Sequence, residues 1–195
     1  GNYSDASVPA HVIGWINFGE NYIISPIFYD RLKSVFTNKI LVNMISYNKE
    51  TNEQGKLIDA KKKFLEDQDI GLIEFRERFP ELLAKYGKEN SKEYDTIVNA
   101  YNDGLLFTNI FPVFSSKLRP AILITATTDS DPVLKKDSIN NHYNFLIEYS
   151  LRLNDIIGDD EDDDVKLRKL NLLFMLQEYA NKTVVSIIND FLKGK

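Results

Sequence analysis

A nearly continuous apolar segment at residues 11–36 constrains the fold more than any other feature of the chain. Interpreted as one helix, it leaves only a thin polar stripe, although it contains Gly19 and Pro26. A surface helix normally has one apolar and one polar face. We therefore expect a long helix, kinked at Pro26, that is buried on two sides. One side would face its own core, and the other a partner subunit or a ligand.

The composition excludes several function classes. A net charge of -5 over 195 residues disfavours DNA as a partner, because sequence-independent binding to nucleic acid needs a basic surface. The absence of cysteine excludes disulfides and thiolate ligands. His11 and His142 are the only histidines, which disfavours a histidine metal site or a catalytic triad. We expect no cofactor and no metal.

The rest of the pattern predicts an α+β fold, a small central sheet wrapped by helices. Short apolar runs predict strands and residues at helical spacing predict helices. The expected strands are residues 39–47, 105–114 and 121–128, the last two forming a hairpin around 115–120. The expected helices are residues 55–67, 70–86, 91–102, 133–157 and 165–192.

The predicted strand 121–128 ends in a polar loop, Thr127-Thr128-Asp129-Ser130-Asp131. Such side chains commonly bond their own backbone and cap the next helix. The same groups can also bind a ligand: a carboxylate accepts two hydrogen bonds from the edge of guanine, while hydroxyls contact phosphate or ribose. Both interpretations stay open.

Trp15, Phe18 and Tyr22 would share one face of the predicted first helix, because they are three and four positions apart. That face is either core packing or a platform on which flat bases stack. Gly19 lies in the middle of it, and close approach of a ligand or a second backbone would explain its cost to helix stability. The acidic run 159–164 lacks the ligand spacing of a calcium loop and predicts a solvated linker that favours the following helix N-terminus.

The order of these parts resembles the cyclic-dinucleotide-binding domain of STING, and its bacterial members in particular. The resemblance rests on the aromatic segment around Gly19, on residues 21–26 (NYIISP) and on a strand that ends in residues 125–128 (TATT). It covers roughly residues 8–157. It implies a cyclic-dinucleotide-binding domain at 11–157. We expect a flexible lead-in at 1–10 before this domain, and an acidic linker with a last helix at 158–195 after it, for which the family offers no counterpart.

The resemblance implies a V-shaped homodimer that pairs through the first helix and binds cyclic di-GMP. Its expected ligand contacts are Trp15, Phe18, Gly19, Tyr22, Arg119, Thr127, Thr128, Asp129 and Asp131. Phe18 or Tyr22 would stack on a base. Asp129, or failing it Asp131, would recognise guanine, and Arg119 is the nearest basic candidate for phosphate because the strand 105–114 has no arginine.

The same resemblance implies a role in anti-phage signalling, in which ligand drives higher oligomerisation and activates a fused TIR or transmembrane effector. The domain would catalyse nothing. No apolar run reaches the roughly 18 residues of a membrane span, so we expect a cytoplasmic protein or the cytosolic part of an anchored one. One alternative is a helical protein–protein interaction module of the immunity or adaptor type. A second, an enzyme built on scattered carboxylates, lacks any recognisable motif.

Overall fold

The computed structural model describes residues 12–59, 62–114, 132–159 and 161–193, and over these the fold is α+β. The strands are β1 (Val12–Asn17), β2 (Ile23–Ile24), β3 (Lys49–Thr51), β4 (Leu57–Asp59), β5 (Phe107–Thr108) and β6 (Ile110–Phe114). The helices are α1 (Pro26–Phe36), α2 (Asn38–Ile45), α3 (Gly71–Glu77), α4 (Phe79–Tyr86), α5 (Tyr94–Asn102), α6 (Pro132–Asp155) and α7 (Asp163–Lys193). None of the described helices is long and apolar enough to cross a membrane.

The described strands form three separate two-stranded antiparallel sheets rather than the single central sheet that we expected. β1 pairs with β6, β2 with β5, and β3 with β4. The backbone N–H of Phe18 donates to the carbonyl oxygen of Asn109 at 2.7 Å. This bond links the first two pairs, so residues 12–24 run antiparallel to residues 107–114 almost without a break.

The predicted long helix at residues 11–36 is wrong. The segment contains β1, a turn, β2 and then α1, which begins at Pro26. Proline lacks a backbone N–H and suits the first position of a helix, so it starts a helix here instead of kinking one. Within β1 and just after it, Trp15 and Asn17 are exposed while Ile16 and Phe18 are buried, which is the two-residue period of a strand.

Two further predictions are wrong. The strand predicted at residues 39–47 is replaced by helix α2, which ends at Ile45, and the hydroxyl of Thr37 caps this helix by accepting from the Ile40 N–H. Residues 55–67, predicted as a helix, contain β4 and a succession of turns. The side-chain oxygen of Asn52 accepts from the N–H groups of Gln54 and Lys56 and so closes the β3–β4 hairpin.

The other predicted elements are confirmed where the structure describes them. Residues 70–86 are helical but divide into α3 and α4 near Pro80, while α5, α6 and α7 fall inside or close to the predicted ranges. The strand predicted at 105–114 is present as β5 and β6. The hairpin turn at 115–120 and the strand at 121–128 lie outside the described residues.

One buried core joins most of these elements. Phe36, Phe75 and Phe79 meet edge to face, with ring centroids 5.7–6.2 Å apart. Helix α7 packs along α6 and contributes Leu173 and Leu176 to the same core. The last helix is therefore packed against the N-terminal elements.

Candidate functional site: the Tyr22–Arg76 cleft

A cleft of about 490 Å³ opens where three distant parts of the chain meet. Tyr22 comes from the residues just before β2, and Arg76 and Glu77 from the end of α3. Its remaining lining residues run from the end of α5 to the start of β5: Tyr101, Gly104, Leu106 and Phe107. Its volume lies within the range of natural small-ligand sites. The Tyr22–Arg76 cleft therefore has the size and the mixed chemistry of a binding site.

The guanidinium of Arg76 stacks on the ring of Tyr22, with 3.7 Å between the arginine Cζ and the ring centroid. Its positive charge has no carboxylate within 4 Å in the part of the chain that the structure describes. Stacking restricts the rotamers of the arginine while its N–H edges stay available. Arg76 is consequently held in place for a planar anion such as phosphate or carboxylate.

Glu77 adds an exposed carboxylate to the same wall, and it too makes no ion pair among the described residues. Tyr101 adds an aromatic ring that packs on Phe79 at 5.0 Å between centroids. The cleft thus combines a guanidinium, a carboxylate and two tyrosines. These are groups that proteins use to bind phosphate, the polar edge of a base and a flat ring.

A charge network behind the cleft fixes the position of α3. Arg78 donates to Glu74, Glu81 and Asp67 at 2.8–3.0 Å, which ties the end of α3 to the start of α4. Burial by itself raises the pKa of Asp67, but hydrogen bonds from Tyr86, Lys85 and Arg78 outweigh it and hold that pKa at about 2. Arg78 therefore has its charge paired with carboxylates that hold α3 and α4 together, whereas Arg76, two positions earlier, makes no such ion pair among the described residues.

The structure does not bring the predicted aromatic residues onto one helical face. Trp15 is 52% exposed on β1, and Phe18 is fully buried in the core. Of the three, Tyr22 alone lines the Tyr22–Arg76 cleft. The grouping was wrong because it assumed a helical period where the chain forms a strand followed by a turn.

Gly19 lies in the turn that follows β1, at a φ of +68°, a conformation that glycine adopts at little cost. Its N–H donates to the side chain of Asn17, and a Cβ added at this position would lie 3.2 Å from Oδ1 of Asn154 on α6. The turn and the close packing of α6 account for this glycine without a ligand.

The other predicted contacts, Arg119, Thr127, Thr128, Asp129 and Asp131, lie outside the described residues. In the acidic run, the Asp162 side chain accepts from the N–H groups of Asp164 and Val165 at the start of α7. This is the helix-favouring role expected of that run. Among the described residues, no group of three or more potential metal ligands is present.

Sequence reasoning missed Arg76, Glu77 and Tyr101. They share no motif with Tyr22, and only the folded chain brings these residues together. Comparison with models of known protein families finds no match to this chain, and no curated protein matches it either. What this chain binds must therefore be argued from the chemistry of the cleft and from the resemblance of its sequence to the cyclic-dinucleotide-binding domain of STING.

Proposed function

We propose that the chain is a non-enzymatic receptor for a cyclic dinucleotide, cyclic di-GMP first, and that the Tyr22–Arg76 cleft holds one nucleotide half. The observation that carries the proposal is the Arg76 guanidinium, stacked on Tyr22 and without a carboxylate partner among the described residues. An arginine held in this way favours phosphate, which it binds through two parallel N–H···O bonds.

The other walls of the cleft suit the base. Glu77 can accept hydrogen bonds from the ring N–H and the exocyclic amine of guanine, the pairing that the sequence suggested for Asp129. Tyr101 offers an aromatic surface beside it, and stacking on such a ring is worth about 1–3 kcal/mol per base. Cyclic di-GMP should therefore bind more tightly than cyclic di-AMP.

The proposal includes a homodimer that forms higher oligomers with ligand and acts on a fused TIR or transmembrane effector. Its support is the outer face of the β1–β6 pair, where Ile13, Trp15 and Ile110 are all exposed. Exposed apolar clusters of this kind mark interaction surfaces, and tryptophan is a frequent anchor of interfaces. A two-fold interface would place the same face on both subunits.

A thermal-shift assay with cyclic di-GMP tests the binding proposal, because a ligand of the native state raises the melting temperature. We expect a concentration-dependent rise for the wild type that Arg76→Ala largely abolishes. The matched control is Arg31→Ala, since Arg31 also lies over an aromatic ring, Phe28, but outside the cleft. A wild type without a shift at ligand well above micromolar contradicts the proposal, as does an equal shift in Arg76→Ala.

The second candidate is a protein–protein interaction module, which the same exposed Ile13 and Trp15 favour. The two candidates differ in what Trp15→Lys does. If the chain is an interaction module, Trp15→Lys abolishes binding to the partner protein, and neither the wild type nor the variant binds cyclic di-GMP. If the chain is a receptor, Trp15→Lys keeps the wild-type affinity for cyclic di-GMP and loses self-association.

A further inference from the structure

A second cavity, of about 620 Å³, lies between α1, α6 and α7 and shares no lining residue with the Tyr22–Arg76 cleft. One part of its wall is apolar and open to solvent. Ile27, Val185 and Ile188 line it and are 68%, 56% and 52% exposed. Three large aliphatic side chains beside one cavity form a surface that an aliphatic chain can cover.

Among the residues that the structure describes, the rest of the wall carries one cation without a carboxylate partner. Lys182 lies over the ring of Tyr179, with Nζ 5.0 Å from the centroid, and no carboxylate lies within 4 Å of it over the described ranges. Lys33 also lines the cavity but pairs with Asp30 at 2.8 Å. Lys182 is therefore the cation that remains for an anionic ligand.

Hydrogen-bonding groups lie on the same part of the wall as Lys182. The hydroxyl of Ser186 is 3.3 Å from Nδ1 of His142, and both line the cavity. Burial, and then the positive charge of Lys182, lower the pKa of His142 below its ordinary value. A lowered pKa favours the neutral imidazole. In the tautomer that carries its hydrogen on Nδ1, the imidazole donates to the Ser186 oxygen and leaves the Ser186 hydroxyl hydrogen free for a ligand.

We propose that this cavity binds an aliphatic carboxylate, a medium-chain fatty acid, as a ligand separate from any nucleotide. The carboxylate pairs with Lys182 and accepts from the Ser186 hydroxyl, and the chain covers Ile27, Val185 and Ile188. The charge of Lys182 selects an anion, and the adjoining aliphatic wall selects a chain. The volume of about 620 Å³ lies within the range of natural small-molecule sites.

Isothermal titration calorimetry of the full chain with decanoate below its critical micelle concentration tests the proposal, with decanol as the uncharged probe. We expect saturable decanoate binding, with decanol weaker by about tenfold or more, the contribution of one charge-assisted contact. Each CH₂ added between octanoate and decanoate should tighten binding by up to about fourfold.

Lys182→Ala should weaken decanoate binding by about tenfold. Its matched control is Lys39→Ala, because Lys39 lies 4.0 Å over the Phe64 ring but outside the cavity. Val185→Asp, at an exposed position on the apolar wall, should also weaken binding without lowering the melting temperature. No saturable binding overturns the proposal, and so does equal affinity for decanoate and decanol or an unchanged affinity in Lys182→Ala.

Discussion

One glutamine side chain completes the edge of β2, which makes its removal a sharp test of the fold. The Oε1 atom of Gln177 on α7 accepts from the Ile24 N–H at 2.6 Å, and its Nε2 donates to the Ile24 carbonyl at 2.9 Å. Ile24 is fully buried and Gln177 is 1% exposed. No water can therefore replace either bond without a rearrangement.

We expect Gln177→Leu to lower the free energy of unfolding by about 2–4 kcal/mol. Each backbone group of Ile24 left without a partner costs about 1–3 kcal/mol. The added apolar burial of leucine returns about 1–2 kcal/mol. The two costs together exceed the gain, so the net effect is destabilising.

Urea denaturation followed by far-UV circular dichroism measures this loss. With a slope of about 2 kcal/mol per molar urea, the midpoint should fall by about 1–2 M in Gln177→Leu. The control is Gln54→Leu at an exposed turn position, where we expect a change within about 0.5 kcal/mol. A midpoint that moves equally little in both variants would show that the two Gln177 hydrogen bonds do not stabilise β2.

Gln177→Glu separates the two hydrogen bonds. The introduced carboxylate still accepts from the Ile24 N–H but cannot donate to the carbonyl, and protonation restores the donor. Its pKa in the folded state should therefore be raised above the unfolded value. The variant should gain stability as pH falls from 7 towards 5, and a flat profile at wild-type stability would contradict this.

Two further predictions concern the charge network and the outer face of β1. Asp67→Asn should cost about 2 kcal/mol at pH 7, since the pKa of Asp67 is lowered from 3.8 to about 2. This contribution is complete above about pH 5 and is lost as the pH falls through about 2. Urea midpoints between pH 7 and 2 check it, and an equal pH slope in the variant and the wild type would contradict it. Trp15→Lys should reduce self-association in sedimentation velocity, and the melting temperature should fall only by what the lost self-association contributes, because the side chain is half exposed and adds little to the stability of a single subunit. A wild type that is monomeric throughout would contradict the proposed dimer.

The sequence predicts the C-terminal half of the fold better than the N-terminal half. In α7, apolar residues recur at helical spacing over a long stretch that follows the acidic run, and both length and boundary favour a helix. The segment 39–47 is too short for the spacing of its apolar residues to distinguish a helix from a strand. Their helical signal, Thr37 followed by Leu41, Met44 and Ile45, becomes clear once burial is known.

The helix prediction for residues 11–36 was wrong for a different reason. An apolar segment without a polar face fits a buried helix and a buried strand equally well. The sequence does contain signals for the element boundaries, because Gly19 marks a turn and Pro26 marks the start of a helix. The Tyr22–Arg76 cleft could not be predicted, because Tyr22, Arg76 and Tyr101 become neighbours only through tertiary packing.

Isothermal titration calorimetry of the wild type and Arg76→Ala with cyclic di-GMP is the decisive measurement for the Tyr22–Arg76 cleft, because it measures affinity independently of stability and the variant assigns the site. We expect saturable binding by the wild type, weakened at least about tenfold by Arg76→Ala and unchanged by Arg31→Ala. The absence of binding at ligand well above micromolar, or equal affinity in the wild type and Arg76→Ala, would contradict it.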